Sequence, residues 1–516
     1  MLALAVPLAA LCAPATAGRV REPALAGSWY PESRALATVT AHYLMRAAAA
    51  APALPGKPLA LIVPHAGWQY SGVAAGAAFR NLHPGDFERV VMVGPSHQSA
   101  FQGYSLDDAS AYRTPLGEIP LCPGVFSQLQ DGQRARVVPR AAESEHALEI
   151  ELPFLQARLG RFCLVPVLAG QTSADDQKAM AERLARLDDG RTLFVFSSDF
   201  THYGPRYDYA PFGASALPVL DKIRAQDEQA VALISRLDAA GFRAFLGRTG
   251  ATICGHAAIG TALELVARIA PKAHALPLAH YASAELPFAR DASSVDYVAL
   301  AFVREDAPAA SPLRAPPKPI AAVAAEVPSE LGARLVRLAR TALEAEILRK
   351  AELSQELAGF PEGLEGLQAV FVTLNRTDPA ELRVQGRLRG CIGQLEPTYP
   401  LYFAVVHAAV DAALHDPRFP AVAGNELPRL EVEVTVLSPP RPLASWKAIE
   451  LGKHGIVLEK SGRRALFLPQ VATEQGWNLE QALAALAEKA GLPRDGWRQG
   501  ARFSVFTGQV FKEGHR

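Results

Sequence analysis

Histidines recur in this chain directly after short apolar runs. Leu59-Ala-Leu-Ile-Val leads into Pro64-His65-Ala66-Gly67, and Val90-Val-Met-Val leads into Gly94-Pro95-Ser96-His97. Leu193-Phe-Val-Phe leads into Ser197-Ser198-Asp199-Phe200-Thr201-His202. Imidazole exchanges protons near neutral pH and also ligates metals as a neutral donor. A single histidine of this kind is more often structural than functional. Repetition of the pattern, once with an aspartate, points to a shared site. Gly67, Gly72 and Gly94 are expected to supply tight turns beside it. Two further segments hold reactive side chains. Glu143-Ser-Glu145-His146-Ala-Leu-Glu149-Ile-Glu151-Leu-Pro-Phe sets His146 among carboxylates. Its plainer reading is the start of an amphipathic helix with a solvated acidic face. Thr252-Ile253-Cys254-Gly255-His256 sets a thiol beside an imidazole. Its plainer reading is a buried cysteine packing as a small hydrophobe.

These residues can meet only if the fold brings their segments to one edge. The runs Leu59–Val63, Val90–Val93, Phe162–Leu168 and Leu193–Phe196 read as buried strands. Longer patterns between them, such as Asp176–Leu187, read as helices, which implies an α/β sheet with helical crossovers. In open sheets of this class, sites form beyond the carboxyl ends of the strands, where all three histidine segments fall.

From Glu305 to Pro328 the composition turns to Pro and Ala, as in a semi-extended linker without core residues. Ser329 is placed to cap a helix carrying Leu331, Leu335, Leu338, Ala342 and Leu343 at helical spacing. Strands are expected at Ala369–Thr373 and Leu430–Leu437, and helices at Leu401–Leu414 and Leu479–Ala490, giving an α+β domain. Leu430–Leu437 alternates with period two, so one of its faces is expected to be solvated. The divisions are then residues 1–20 as a possible signal-like segment, 21–304, a linker at 305–328, and 329–516. In the last part, Arg389 stands two residues from Cys391. On an extended strand both side chains share a face, and the cation would lower the thiol pKa to make a nucleophile or redox group. The equal alternative is a glycine turn with a buried cysteine. His407 and His454 are weaker candidates.

Composition excludes several classes. The 516 residues are 49% hydrophobic and 20% charged, which is globular material with room for more than one core. Lys+Arg and Asp+Glu are equal at 52 each, so nothing favours nucleic acid or acidic membrane as a partner. The 5 cysteines are scattered, without a CxxC pair; as free thiols they fit a reducing compartment. Against that, Leu2–Cys12 is apolar and Ala15-Thr16-Ala17 has the form of a signal cleavage site, though no basic residues precede it. On this segment alone export and retention stand about even.

At this point two resemblances become specific. Ala26-Gly27-Ser28-Trp29-Tyr30-Pro31, Pro64-His65-Ala66-Gly67 with Tyr70-Ser71-Gly72, Gly94-Pro95-Ser96-His97, Glu145-His146 with Leu152-Pro153-Phe154, Ser197-Ser198-Asp199-Phe200 with His202, and Thr252-Ile253-Cys254-Gly255 resemble the Memo family in order and wording. The likeness covers roughly Arg21 to Arg304. It implies a relative of the class III extradiol dioxygenases, which bind non-haem iron. By that resemblance His65, His97 and Cys254 are the metal ligands, His202 is an acid/base, and His146 and Asp199 line the same site. The family often has Arg where this chain has His256, a change that would alter substrate charge preference or add a ligand. Gly386-Arg387-Leu388-Arg389-Gly390-Cys391-Ile392-Gly393, with Asp416-Pro417-Arg418-Phe419, Gly452-Lys453-His454-Gly455-Ile456 and Leu468-Pro469-Gln470-Val471-Ala472, resembles the AMMECR domain. The pair of domains resembles a fusion of components of the AmmeMemoRadiSam system, which implies a radical SAM enzyme as partner and, through that partner, slightly favours a cytoplasmic placement over periplasmic export.

Three functions follow as expectations. The first is a metal-dependent oxidoreductase; the resemblance implies iron, a thiolate beside two imidazoles shifts the preference toward copper or zinc, and iron or copper is expected ahead of zinc. The second is a non-catalytic module that uses the remnant metal cleft to recognise a peptide or protein. The third is zinc-dependent hydrolysis with His146 or Glu145 as general base.

Overall fold

The computed structural model describes residues 18–286, 292–304, 312–314, 327–349, 364, 366, 368–394 and 400–514. The signal-like run and most of the expected linker lie outside them. The chain divides into two compact units, one built on residues up to Tyr30 and on Leu44–Pro316, the other on Pro31–Tyr43 and Pro317–Arg516.

The first unit is organised by a nine-stranded mixed sheet. Its strands are β1 (Ala60–Val63), β2 (Arg89–Pro95), β3 (Tyr104–Leu106), β4 (Ala135–Val137), β5 (Cys163–Ala169), β6 (Thr192–Ser197), β7 (His202–Tyr203), β8 (His274–Ala282) and β9 (Ser294–Val303). The spatial order is β7-β9-β1-β6-β2-β5-β3-β4, and β8 also pairs with β9. The centre, β1-β6-β2-β5, is parallel, with Val63 opposite Ser197 and Val93 opposite Phe196. A parallel centre is covered on both faces, so these strands are uninterrupted apolar runs. Ile62, Val91, Val167 and Phe194 share one core with Ala258, Leu263 and Val266 of the helix His256–Ile269. The helix expected from Asp176 begins earlier, at Ala174, because Ser173 and Asp176 form a reciprocal capping box.

Three expectations change here. Gly67, Gly72 and Gly94 all have negative φ, so none makes a left-handed turn. Cys122 and Cys163 are joined in a disulfide, leaving Cys254 and Cys391 as the free cysteines among the described residues. The spacing of 41 residues hid this pair; Cys122 N–H donates to Leu164 O at 2.9 Å, which brings the two segments together. Part of the expected linker is ordered against β8, where Leu313 exchanges backbone hydrogen bonds with Leu278 and His280.

In the second unit, β10 (Ala369–Arg376), β11 (Leu388–Gln394) and β12 (Leu430–Leu437) form an antiparallel sheet with Gly508–Lys512, in the order β11-β10-β12-Gly508–Lys512. Helices Ser329–Leu348 and Leu401–Leu414 pack their apolar residues on this sheet, together with Ala35, Leu36 and Val39. Ser329 is the first helical residue and Pro328 occupies the cap. The alternating strand β12 is central, and its polar face is covered: Glu433 and Thr435 are buried, and Glu433 meets Lys512 of the adjacent strand at 3.1 Å. A second antiparallel sheet contains Arg441–Leu443, Gly455–Lys460, Arg463–Phe467 and Arg502–Phe506. Among the described residues, no helix is long and apolar enough to cross a membrane.

Candidate metal centre

Strands β1, β6 and β2 lie side by side and run the same way, so the segments that follow them emerge at one edge of the sheet. There His65, His97, His146, Asp199 and His202 line a cavity of about 900 Å³, with Trp29, Tyr70 and Tyr207 among its walls. One ring nitrogen from each of His65, His97 and His146 lies within 4.8 Å of the others. His97 and His146 stack with centroids 4.3 Å apart, and His65 meets both rings edge-on.

The carboxylates of Glu143–Glu151 build this geometry. Glu145, Glu149 and Glu151 are all buried, contrary to the expectation of a solvated acidic face. Glu145 accepts from His97 Nδ1 at 2.9 Å and from the backbone N–H groups of His97, His146 and Ala147. These bonds overcome the cost of burial and hold the carboxylate at about 2, so it is ionised. An ionised carboxylate can only accept, so His97 carries its proton on Nδ1 and offers Nε2 to the cavity. Glu149 accepts from Arg21, from Ala24 and Leu25 N–H, and from the Tyr30 hydroxyl. That network holds the Ala24–Tyr30 segment and presents Trp29 at 4.7 Å from the His146 ring.

Glu151 works through Ser197. The Ser197 hydroxyl lies 2.6 Å from His65 Nδ1, 2.6 Å from Ala147 O and 2.7 Å from Glu151 Oε1. A hydroxyl has one hydrogen, and a carbonyl can only accept it. With that hydrogen on Ala147 O, both His65 Nδ1 and Glu151 donate to the hydroxyl oxygen. Burial pushes the Glu151 carboxyl well up, which supplies the required proton. His65 then also offers Nε2, which lies 3.2 Å from Cys254 Sγ. The thiol accepts from Asp199 N–H at 3.3 Å. Burial and the neighbouring Asp199 push its pKa well up, so without a metal it is a neutral thiol.

Asp199 is buried and accepts from His65 N–H at 2.8 Å; burial raises its pKa against the pull of His202. His202 Nδ1 faces two carbonyls, Phe200 O at 2.9 Å and Thr252 O at 3.0 Å. Carbonyls fix the proton there, leaving Nε2 as a base. Burial depresses His146 to about 4, with His97 adding to the effect. Two glycines permit the close approach. A side chain at Gly94 would meet Leu148 at 2.8 Å, and one at Gly255 would meet Ser197 O at 2.4 Å. His256 is exposed, hydrogen-bonds Ile253 O within its own turn and is not among the residues lining the cavity, so the expected extra ligand or charge selector falls away.

The set fits a metal: convergent imidazoles whose distal nitrogens are held by oxygen partners are the arrangement that orients metal ligands. His65 and His97 are common to the expected set and to the three-histidine group. Cys254 lies against His65, and His146, expected to line the site, completes the imidazole group. The signal missed in the sequence was the buried role of Glu145, Glu149, Glu151 and Ser197.

Arg389 and Cys391 behave differently. Leu374 pairs with Gly390 and Asn375 with Leu388, so a bulge at Arg389 breaks the alternation that would place both side chains on one face. Arg389 is buried and bonds Glu426 twice, at 2.7 and 3.1 Å. Burial pushes the Cys391 thiol up rather than down, and Thr373 Oγ1 donates to it at 3.3 Å. The activated thiol is therefore corrected to a shielded one. His407 pairs with Asp411 at 3.0 Å, and buried His454 accepts from Glu450 N–H at 3.0 Å.

The chain is similar to two known families. The Memo-like protein family matches residues 21–301, and the AMMECR1 family matches residues 336–511. A Caenorhabditis elegans protein described as a memo-1 homolog is 36% identical over 236 residues, 45% of this chain and 66% of that protein. The chain thus spans just under two thirds of that relative. Protein MEMO1 of Danio rerio is 31% identical over 255 residues, 48% of this chain and 85% of the fish protein. A solved structure, uncharacterized protein PH0010 from Pyrococcus horikoshii, is 40% identical, covers 37% of this chain and 94% of its own, and has a TM-score of 0.33.

Proposed function

We propose, from the premise that this chain belongs to the Memo-like family and carries an AMMECR1 domain, that its first unit is a metal-dependent oxidoreductase acting with a radical SAM enzyme. The observation that carries the reading is the convergence of His65, His97 and His146 within 4.8 Å, with Cys254 Sγ 3.2 Å from His65. His65 and His97 would hold the ion through Nε2, joined by Cys254 or His146. Iron or copper would supply redox chemistry with dioxygen as oxidant, and a thiolate ligand favours the softer ions.

The chain's own residues do the rest. Glu145 and Ser197 keep the protons of His97 and His65 away from the cavity. His202 Nε2 takes a proton from a small or peptide-borne substrate, while Phe200 O and Thr252 O hold its ring in place. Asp199 ties the His65 backbone to the loop that bears His202. The radical SAM partner is supported by the pairing of the two domains in one chain.

The test is metal content of purified, untagged protein beside His65→Ala and Cys254→Ser, with circular dichroism as the folding control. About one iron or copper per chain, lost in both variants and accompanied by oxygen uptake, is the expected result. Folded wild-type protein that takes up neither Fe(II) nor Cu(II) would overturn the reading and leave the cleft as a recognition site for a peptide or protein.

A further inference from the structure

A second group of ligand-type side chains lies in the first unit, apart from the cavity. It consists of Asp227 on the helix Leu220–Ser235, His280 on β8 and Asp296 on β9. All three are buried, at 0%, 2% and 2% exposure. One ligand atom from each lies within 4.8 Å of the others, and His280 Nε2 is 3.2 Å from Asp296 Oδ2.

The hydrogen bonding leaves this group short of positive charge. Among the described residues Asp227 accepts from Thr201, through the hydroxyl at 2.5 Å and the backbone N–H at 3.2 Å, and its carboxyl lies within hydrogen-bonding reach of that of Asp296. Asp296 Oδ1 is fully buried and, among the described residues, accepts from no donor. The guanidinium groups at the rim pair with other carboxylates, Arg224 with Glu285 at 2.6 Å and Arg314 with Glu228 at 2.9 Å, and Arg224 acts on Asp296 only through space. Two carboxylates this close cannot both stay ionised in the interior without a cation or a proton between them. Burial and the adjacent Asp296 hold the Asp227 carboxyl well above its ordinary range, as the cation-free state requires.

We propose that Asp227, His280 and Asp296 form a divalent cation site, distinct from the histidine cleft. Two hard carboxylate oxygens and one imidazole suit a first-row ion such as Zn(II), Mn(II) or Fe(II). The orphan Asp296 Oδ1 is then a ligand or the partner of a ligating water. Arg314 Nη1 lies 3.3 Å from His280 Nδ1. Coordination through Nε2 puts the ring hydrogen on Nδ1, so that contact opens slightly while Arg314 keeps Glu228. The site would be a clamp. Thr201 is gripped by Asp227, and the Asp296 backbone bonds Thr201 O at 3.1 Å and Phe200 N at 2.9 Å. Phe200 and Thr201 separate Asp199 from His202, so the ion would fix the loop that carries both.

The test disables the first cleft. Protein with His65→Ala and His97→Ala, stripped with chelator, is titrated with Zn(II) alone. About one Zn(II) per chain and a rise in Tm of several degrees are expected, both lost on adding Asp296→Asn or Asp227→Asn. Co(II) in the same protein should show visible bands without a thiolate charge-transfer band, which separates this site from one using Cys254. Should the Asn variants fail to fold, the Co(II) spectrum and His280→Gln carry the decision. A folded His65→Ala, His97→Ala protein that binds no Zn(II) and shows no change in Tm overturns the proposal and leaves a shared proton between the carboxyls. That outcome is independent of whether the wild-type cleft holds iron or copper.

Discussion

The cleft around His65 and the strand around Cys391 start from similar material and end differently. Each has a reactive side chain on or just after a strand, with charged residues and glycine close by. In the first, the segments leave three adjacent parallel strands at one edge, and the side chains of His65, His97 and His202 line a cavity there. In the second, Arg389 and Cys391 sit inside a paired strand, and each has a partner already: Glu426 for the guanidinium, Thr373 for the thiol. What separates a site from a structural network is whether the surrounding bonds leave an atom free toward a cavity. His97 and His202 have one nitrogen bound and the other facing the cavity, whereas Arg389 donates through Nε and Nη2 to a single carboxylate and its Nη1 is buried in the interior.

The largest effect should come from the supports of the cleft. Glu149 is fully buried and accepts from Arg21, Tyr30 and two backbone N–H groups. Glu149→Ala strands the buried Arg21 and should destabilise the first unit by about 3–5 kcal/mol in urea denaturation. Glu426 is 24% exposed on its side chain, so water can reach the group that replaces the Arg389 pair. Glu426→Ala should cost about 1–3 kcal/mol. Equal costs would mean that the two networks are buried alike and the contrast drawn here is wrong.

The middle effect uses pH. His146 is held neutral by burial, with its pKa depressed from 6.5 to about 4. The unfolded chain takes up a proton near pH 6.5 and the folded one does not. The stability this group contributes is therefore present above pH 6.5 and lost progressively as pH falls toward 4. In metal-free protein this one group should add at most about 1.4 kcal/mol per pH unit to the slope. His146→Gln should reduce the slope by that amount between pH 6.5 and 4.5, leaving the part due to His65, whose pKa burial also lowers, and staying above the range in which Glu145, held at about 2, begins to contribute. An unchanged slope in that variant would place the titration elsewhere.

Much of this was legible in the sequence, for identifiable reasons. Leu430–Leu437 and Leu401–Leu414 have the same limits when read from the sequence as in the structure, because their apolar patterns are long and unambiguous. The strand ends bearing His65, His97 and Asp199 were visible because buried parallel strands are apolar throughout and stop abruptly at polar residues. The acidic segment was misread because Glu145, Glu149 and Glu151 look solvated until Arg21, His97 and Ser197 arrive from distant parts of the chain. Arg389 was misread because a bulge leaves no mark in composition. The Cys122–Cys163 pair was missed because the segments between them decide it, not the cysteines.

The smallest effect tests the thiol itself. Cys391 is held above its ordinary pKa first by burial, while Arg418, not Arg389, is the cation that opposes the shift. Arg418 Nη2 donates to Cys391 O at 3.0 Å and its guanidinium also holds Asp416, which accepts from Cys391 N–H at 2.9 Å. Alkylation depends on the thiolate fraction. In a Cys254→Ser background, iodoacetamide at neutral pH should modify Cys391 more slowly than it modifies an exposed cysteine peptide, as read by mass spectrometry. Arg418→Ala should slow it further, by roughly twofold to fivefold. Arg389→Leu should leave the rate within about twofold of its starting value, because its charge is satisfied by Glu426. Should Arg389→Leu instead slow modification tenfold or more, the cation would be acting on the thiol after all, and the second unit would regain the activated cysteine that its bonding pattern denies it.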